Sequence, residues 1–139
     1  MTPDAGILAA LGAKPRRVTR QRRDIVAELA RLRRYVTAQE LHERLQERAK
    51  PIGLATVYRT LEMLREVGAA ATQPNAKGET AYLFCPNSHH HHAVCVKCGR
   101  VADVPCRSMT AFERSLAAGL RFHLTQHRLE FFGTCARCS

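Results

Sequence analysis

Two Cys-x-x-Cys pairs, Cys95/Cys98 and Cys135/Cys138, lie 36 residues apart and limit what the second half of this chain can become. The gap is long enough for a strand, a helix and a returning strand, which would bring the pairs together as one four-cysteine site. Four thiolates around zinc are tetrahedral and closed, the pattern of a structural metal rather than a catalytic one. A redox dithiol is the competing reading. Two pairs in a segment with a meagre apolar core suit a staple better, because metal binding then supplies the folding free energy that the core lacks.

Just upstream the chain reads Cys85-Pro86-Asn87-Ser88-His89-His90-His91-His92-Ala93-Val94-Cys95, so thiols and imidazoles crowd one short segment. Ala93, Val94 and Val96 let it pack as a strand, in which successive side chains point to opposite faces. His90 and His92 then share one face, where Cys85 can join them and Asp103, on the next strand, is a possible fourth ligand. His89 and His91 share the other face, and His127 and Glu113 are the donors best placed to complete it. A purification tag is also a histidine run, but tags sit at termini and this run lies between ligating cysteines. His42 and His123 read as ordinary helix or strand residues.

The chain has 139 residues, room for one compact domain or two small ones. Its formal charge is +10, and the excess is uneven: residues 1–34 hold nine Lys/Arg against three acids. A basic face of this kind favours nucleic acid. No apolar run approaches the ~18 residues that would span a bilayer, and the N-terminus lacks the order of a secretory signal, so the expectation is a cytoplasmic protein with no membrane partner. In such a chain six cysteines point to zinc rather than to disulfides. Cys106, like Cys85, stands outside the two pairs. There is no His-Glu-x-x-His, no Gly-x-Ser-x-Gly and no Gly-rich phosphate loop, which argues against an enzyme and a small-molecule substrate.

In chain order, residues 4–12 predict a short helix ended by Gly12, followed by the basic linker Lys14 to Arg17. Thr19 is the expected N-cap of a helix over 20–33, with Ile25, Val26, Leu29 and Leu32 on its apolar face and Arg20, Arg22 and Arg23 in its first turns. Thr37 and Glu40 form a capping box for a third helix to about Ala49. Val57, Leu61 and Leu64 mark a fourth, closed by Gly68, whose outer face carries Thr56, Tyr58, Arg59, Glu62 and Arg65. Strands at 69–73 and 79–85 flank the Pro74 to Gly78 turn as a wing. The economical reading of 1–85 is a winged helix-turn-helix whose second helix enters the major groove. Residues 86–139 predict strands at 91–97 and 100–104, a helix at 107–118 with the stripe Met109, Phe112 and Leu116, and a strand over 121–132. The fold class is therefore α+β.

At these residues the chain resembles the ferric uptake regulator family of bacterial metal-sensing repressors. Ile52-Gly53-Leu54-Ala55-Thr56-Val57-Tyr58-Arg59-Thr60-Leu61 is similar to that family's recognition helix, His89 to Cys98 to its metal hinge, and Phe132-Gly133-Thr134-Cys135 to its last strand. The resemblance implies a homodimer with an N-terminal DNA-binding domain, here 1–85, and a C-terminal α/β dimerisation domain, here 86–139. It implies a corepressor metal that closes the dimer onto a palindromic, A·T-rich double-stranded operator. Tyr58 and Arg59 match the base-contacting pair and Arg17 the basic residue that enters the minor groove; Arg22 and Thr56 are taken as further DNA contacts.

Within the family, Cys85 and Thr37-Ala38-Gln39-Glu40-Leu41-His42 resemble the zinc uptake regulators. Tyr35, Leu83 and Phe84 stand where iron and peroxide sensors carry ligands. The thiolate argues the same way, because Cys/His sites prefer zinc to iron or manganese. The chain departs from the zinc branch at Ala71 and Thr110, where that branch supplies acids, and Asp103 and Glu113 are carried as substitutes. The expected function is a zinc-responsive transcriptional repressor of metal-uptake genes, with structural and regulatory Zn2+. Fe2+, Mn2+ or a peroxide response at the sensing sites is the alternative within the family; a zinc-storage or thiol redox protein is the alternative outside it.

Overall fold

The computed structural model describes residues 19–85 and 90–139. The expected helix at 4–12, Arg17 and His89 lie outside them. The chain divides into two compact units, residues 1–88 and 89–139.

The first unit opens with α1 (Arg20–Leu32), capped by the Thr19 hydroxyl, which accepts the Arg22 backbone N–H at 3.2 Å. Its i, i+4 stripe buries Ile25, Val26 and Leu29. The short β1 (Val36–Thr37) runs directly into α2 (Ala38–Glu47). There the capping box forms as expected: Glu40 N–H donates to Thr37 Oγ1 at 3.1 Å, and Thr37 N–H donates to the Glu40 carboxylate at 2.8 Å. Two helix-end donors are thereby satisfied reciprocally. Next comes α3 (Leu54–Glu66), which buries Val57, Thr60, Leu61, Met63 and Leu64. Gly68, at φ +74, takes the left-handed turn that follows it.

The wing consists of β2 (Ala70–Pro74) and β3 (Thr80–Phe84), antiparallel, with β1 on the other edge of β3 in the order β1-β3-β2. Asn75 builds its turn by accepting the backbone N–H groups of Lys77 and Glu79, each at 2.9 Å. One apolar cluster joins the three helices to the sheet, with Ile25, Leu29, Val36, Leu41, Leu61 and Leu64 fully buried. α3 is therefore held on its inner face while its outer face stays open.

In the second unit the order is β5-β4-β6. β4 (His90–Cys95) is central; β5 (Val101–Pro105) pairs with it antiparallel, and β6 (Glu130–Gly133) pairs parallel. A 3₁₀ turn over Cys106–Met109 leads into α4 (Thr110–Leu120). The strand expected over 121–132 is shorter than its alternating pattern suggested. In the parallel register Glu130 lies opposite His92, and β4 is described from His90 onward, so residues before about 128 have no strand beside them among the described residues. Alternation is a surface pattern, and a strand also needs a neighbour for its backbone groups. The helix, too, begins later than expected, because its first turn is the 3₁₀ segment.

Burial in this unit is confined to four residues among those described: His91, His92, Val94 and Cys95. α4 buries none of its residues. Phe112, Leu116, Leu120, Phe122, Leu124, Phe131 and Phe132 all face outward.

Candidate metal centres and nucleic-acid face

The four paired cysteines converge. Cys95 ends β4 and Cys98 lies in the turn that follows, Cys135 and Cys138 lie just past β6, and parallel pairing of the two strands places both pairs at one end of the sheet. All four sulfurs lie within 4.8 Å of one another, and Cys98 Sγ is 3.8 Å from Cys135 Sγ. A tetrahedron with Zn–S bonds of about 2.3 Å has S···S edges of about 3.8 Å, so the sulfur cage fits zinc. The Cys135 N–H, 3.4 Å from Cys95 Sγ, and hydrogen bonding from the Cys98 backbone push the Cys95 thiol down to about 6. Bonding to the neighbouring sulfurs of Cys135 and Cys98 pushes Cys138 up to about 12.

On β4 the alternation expected from the sequence is realised. His90 Nε2 and His92 Nε2 meet at 3.0 Å, with their rings edge to face. Asp103 is opposite His92 in register, and its carboxylate lies 3.6 Å from His90 Nε2. Cys85 sits just past β3, its N–H donating to Ala69 O at 2.9 Å. On the other face His91 Nε2 meets His127 Nε2 at 2.8 Å, and Glu113 on α4 bonds the opposite ring nitrogen, Nδ1, of His127. Burial pushes His91 below the usual imidazole value, helped by the proximity of His127; burial and His90 act likewise on His92. Both shifts favour the neutral ring, the form that binds metal.

Cys106, given no role from the sequence, stands 3.5 Å from both His91 Nε2 and His127 Nε2. It directly follows Pro105, which β4–β5 pairing places opposite His90.

The outward side of α3 carries Thr56, Tyr58 and Arg59. Tyr58 is 48% exposed although it is a large aromatic. Glu62 is drawn the other way: it accepts the Tyr82 hydroxyl at 2.6 Å and pairs with Arg65 at 2.7 Å. Burial and that bond to Glu62 push Tyr82 up to about 12. Arg59 reaches only the Thr56 hydroxyl, at 3.4 Å, and among the described residues no carboxylate pairs with it. Arg22, in the first turn of α1, is half-buried between exposed Gln21 and Arg23. No helix among the described residues is long and apolar enough to cross a membrane.

Residues 14–132 match the Ferric uptake regulator family. The chain belongs to that family. A zinc uptake regulation protein of Mycobacterium tuberculosis is 40% identical over 122 residues, 88% of this chain and 94% of that one. The ferric uptake regulation protein of Escherichia coli K12 is 34% identical over 102 residues, 73% of this chain and 69% of that one. Among solved structures, the Vibrio cholerae ferric uptake regulator superposes with a TM-score of 0.68 at 30% identity, covering 91% of this chain and 98% of that one. Ferric uptake regulator family members are regulators, so this chain is not an enzyme. Both zinc- and iron-named relatives belong to the family, and the donor set must be weighed on its own chemistry.

Proposed function

We propose that this chain is a zinc-responsive transcriptional repressor that binds a palindromic, A·T-rich operator as a homodimer and controls metal-uptake genes. The observation that carries the reading is that the two faces of β4 carry separate imidazole clusters, His90 with His92 on one and His91 with His127 and Cys106 on the other. A family fold built for metal-gated regulation here offers nitrogen and sulfur, a set that favours zinc over iron or manganese. The M. tuberculosis relative, named for zinc uptake regulation, agrees with that choice.

The parts divide as follows. Cys95, Cys98, Cys135 and Cys138 hold a structural zinc that supplies folding free energy to a unit with almost no core. Cys85, His90 and His92, with Asp103, form the regulatory set; His91 and His127, with His89 and Glu113 nearby in sequence or space, form a second. A regulatory metal shifts the population of the DNA-binding form by its differential affinity for that form, and by no more. Tyr58 and Arg59 read base edges from α3, Arg59 by two bonds to a guanine and Tyr58 by packing on a thymine methyl. Thr56 and Arg22 contact the backbone, and Arg17 enters a narrow A·T minor groove. The apolar side chains left outward on α4 and β6 supply the face that a second copy covers.

Titrating duplex binding separately with zinc, iron(II) and manganese(II) tests the metal. Saturable binding at the lowest free concentration of zinc is expected. Activation by iron(II) or manganese(II) with no zinc response would overturn the assignment in favour of the iron or manganese reading.

A further inference from the structure

Three donor atoms from distant parts of the chain meet on the face of β4 that carries His91. His91 Nε2 is 2.8 Å from His127 Nε2, and Cys106 Sγ is 3.5 Å from each. They come from the central strand, from the first residue after β5, and from the segment before β6, so no local turn brings them together. Each imidazole is held from behind. Glu113 bonds Nδ1 of His127, and His91 also bonds the Leu129 backbone. Fixing one ring nitrogen with a carboxylate or a backbone group, so that the other is presented to a metal, is how protein metal sites orient histidine.

We propose that Cys106 is a metal ligand, completing a nitrogen–nitrogen–sulfur zinc site with His91 and His127, and that Glu113 is a positioning residue rather than a ligand. The distances decide between the two donors. Zn–N bonds of about 2.0–2.1 Å and a Zn–S bond of about 2.3 Å at tetrahedral angles put nitrogen and sulfur about 3.6 Å apart, which the two Cys106 distances match. The nitrogen pair would open by about half an ångström on metal binding. Glu113, by contrast, spends its carboxylate on the nitrogen of His127 that faces away from the other two donors. Binding releases the Cys106 proton, and the thiolate carries half of the dication's charge, which a carboxylate-free site otherwise lacks. A soft donor here moves this set toward zinc and away from manganese or iron(II).

The inference rests on the reading of His91 and His127 as metal ligands, and cobalt(II) separates the two. In full-length Cys85→Ser protein with its structural zinc left in place, Cys106 is the one remaining thiol outside the four-cysteine site. Added cobalt(II) should produce a sulfur-to-cobalt charge-transfer band in the ultraviolet. Adding Cys106→Ser should abolish the band while the circular dichroism and the structural zinc are retained. Glu113→Gln should keep the band and weaken cobalt binding about 10–100-fold. Zinc should also protect Cys106 from alkylation, and His127→Ala should remove that protection. Cobalt bound without the band overturns the Cys106 assignment and leaves the imidazole pair standing. No cobalt bound, with no zinc protection of Cys106, overturns both. Loss of the band in Glu113→Gln would make Glu113 a ligand after all.

Discussion

At Cys95 backbone donors push the thiol down to about 6, while at Cys138 the neighbouring sulfurs push it up to about 12. In the proposed reading a zinc ion holds all four thiolates, so the loss of one sulfur should be felt by the whole unit. Cys95→Ser is expected to release zinc and to give a second unit that is unfolded or monomeric, as read by bound zinc per chain and by sedimentation. His90→Ala, in contrast, should leave a folded dimer with its structural zinc. A zinc-responsive, dimeric Cys95→Ser protein would reverse the two roles. At α3 the residue that matters is Arg59, which lacks a carboxylate partner among the described residues and touches only Thr56. Arg59→Ala should cost about 1–3 kcal/mol on the best operator and flatten discrimination at one base pair per half-site. A uniform loss across an operator panel would make it a phosphate contact.

Among the elements, α1 and the end of α2 are tied by Glu28, whose side chain is only 5% exposed and pairs with Arg31 and, at 3.3 Å, with Arg48. The hydrogen bonds and charge of Arg31, aided by Arg48, hold this carboxyl below the usual carboxylate range. The unfolded chain therefore takes up this proton before the folded one does. The contribution is full above about pH 4.5 and drains away as pH falls through the folded value. Both arginines are half exposed, so solvent screens the pair and the effect is small. Glu28→Gln should lower the melting temperature at neutral pH, and the gap to the parent should close in acid; a gap that holds constant would show that packing, not charge, is lost. Elements of this first unit were legible because each announces itself locally: the Thr37/Glu40 capping box, the Gly68 stop, the i, i+4 apolar spacing of Val57 and Leu61. The second unit was less so. The alternation at Phe122 and Leu124 looked like a strand, yet pairing depends on how far β4 extends, which is a non-local fact. The alternation of His90 to His92 was readable because it depends only on strand geometry. Cys106 was not, since its meaning comes from two histidines at sequence distances of 15 and 21.

Taken whole, the molecule joins a well-packed helical unit to one whose apolar side chains are mostly uncovered. Leu120 is 58% exposed, Phe122 67% and Phe132 61%. Burial of such side chains is worth about 1.5–3 kcal/mol each, so a second copy laid on this face has ample driving force. Leu120→Asp with Phe122→Asp should yield a monomer that keeps its structural zinc, as judged by sedimentation and metal analysis; an undisturbed dimer would place the interface elsewhere. The central claim is that metal gates sequence-specific DNA binding, and it predicts a particular contrast. Duplexes selected from a random pool by the zinc-loaded protein should be compared with shuffled duplexes of the same composition, at one fixed salt concentration, before and after chelation of the regulatory zinc. Specific binding should exceed shuffled binding by about a thousandfold or more with zinc bound and fall toward the shuffled level without it. Equal affinity for selected and shuffled duplexes, or selective binding that survives chelation, would contradict the account.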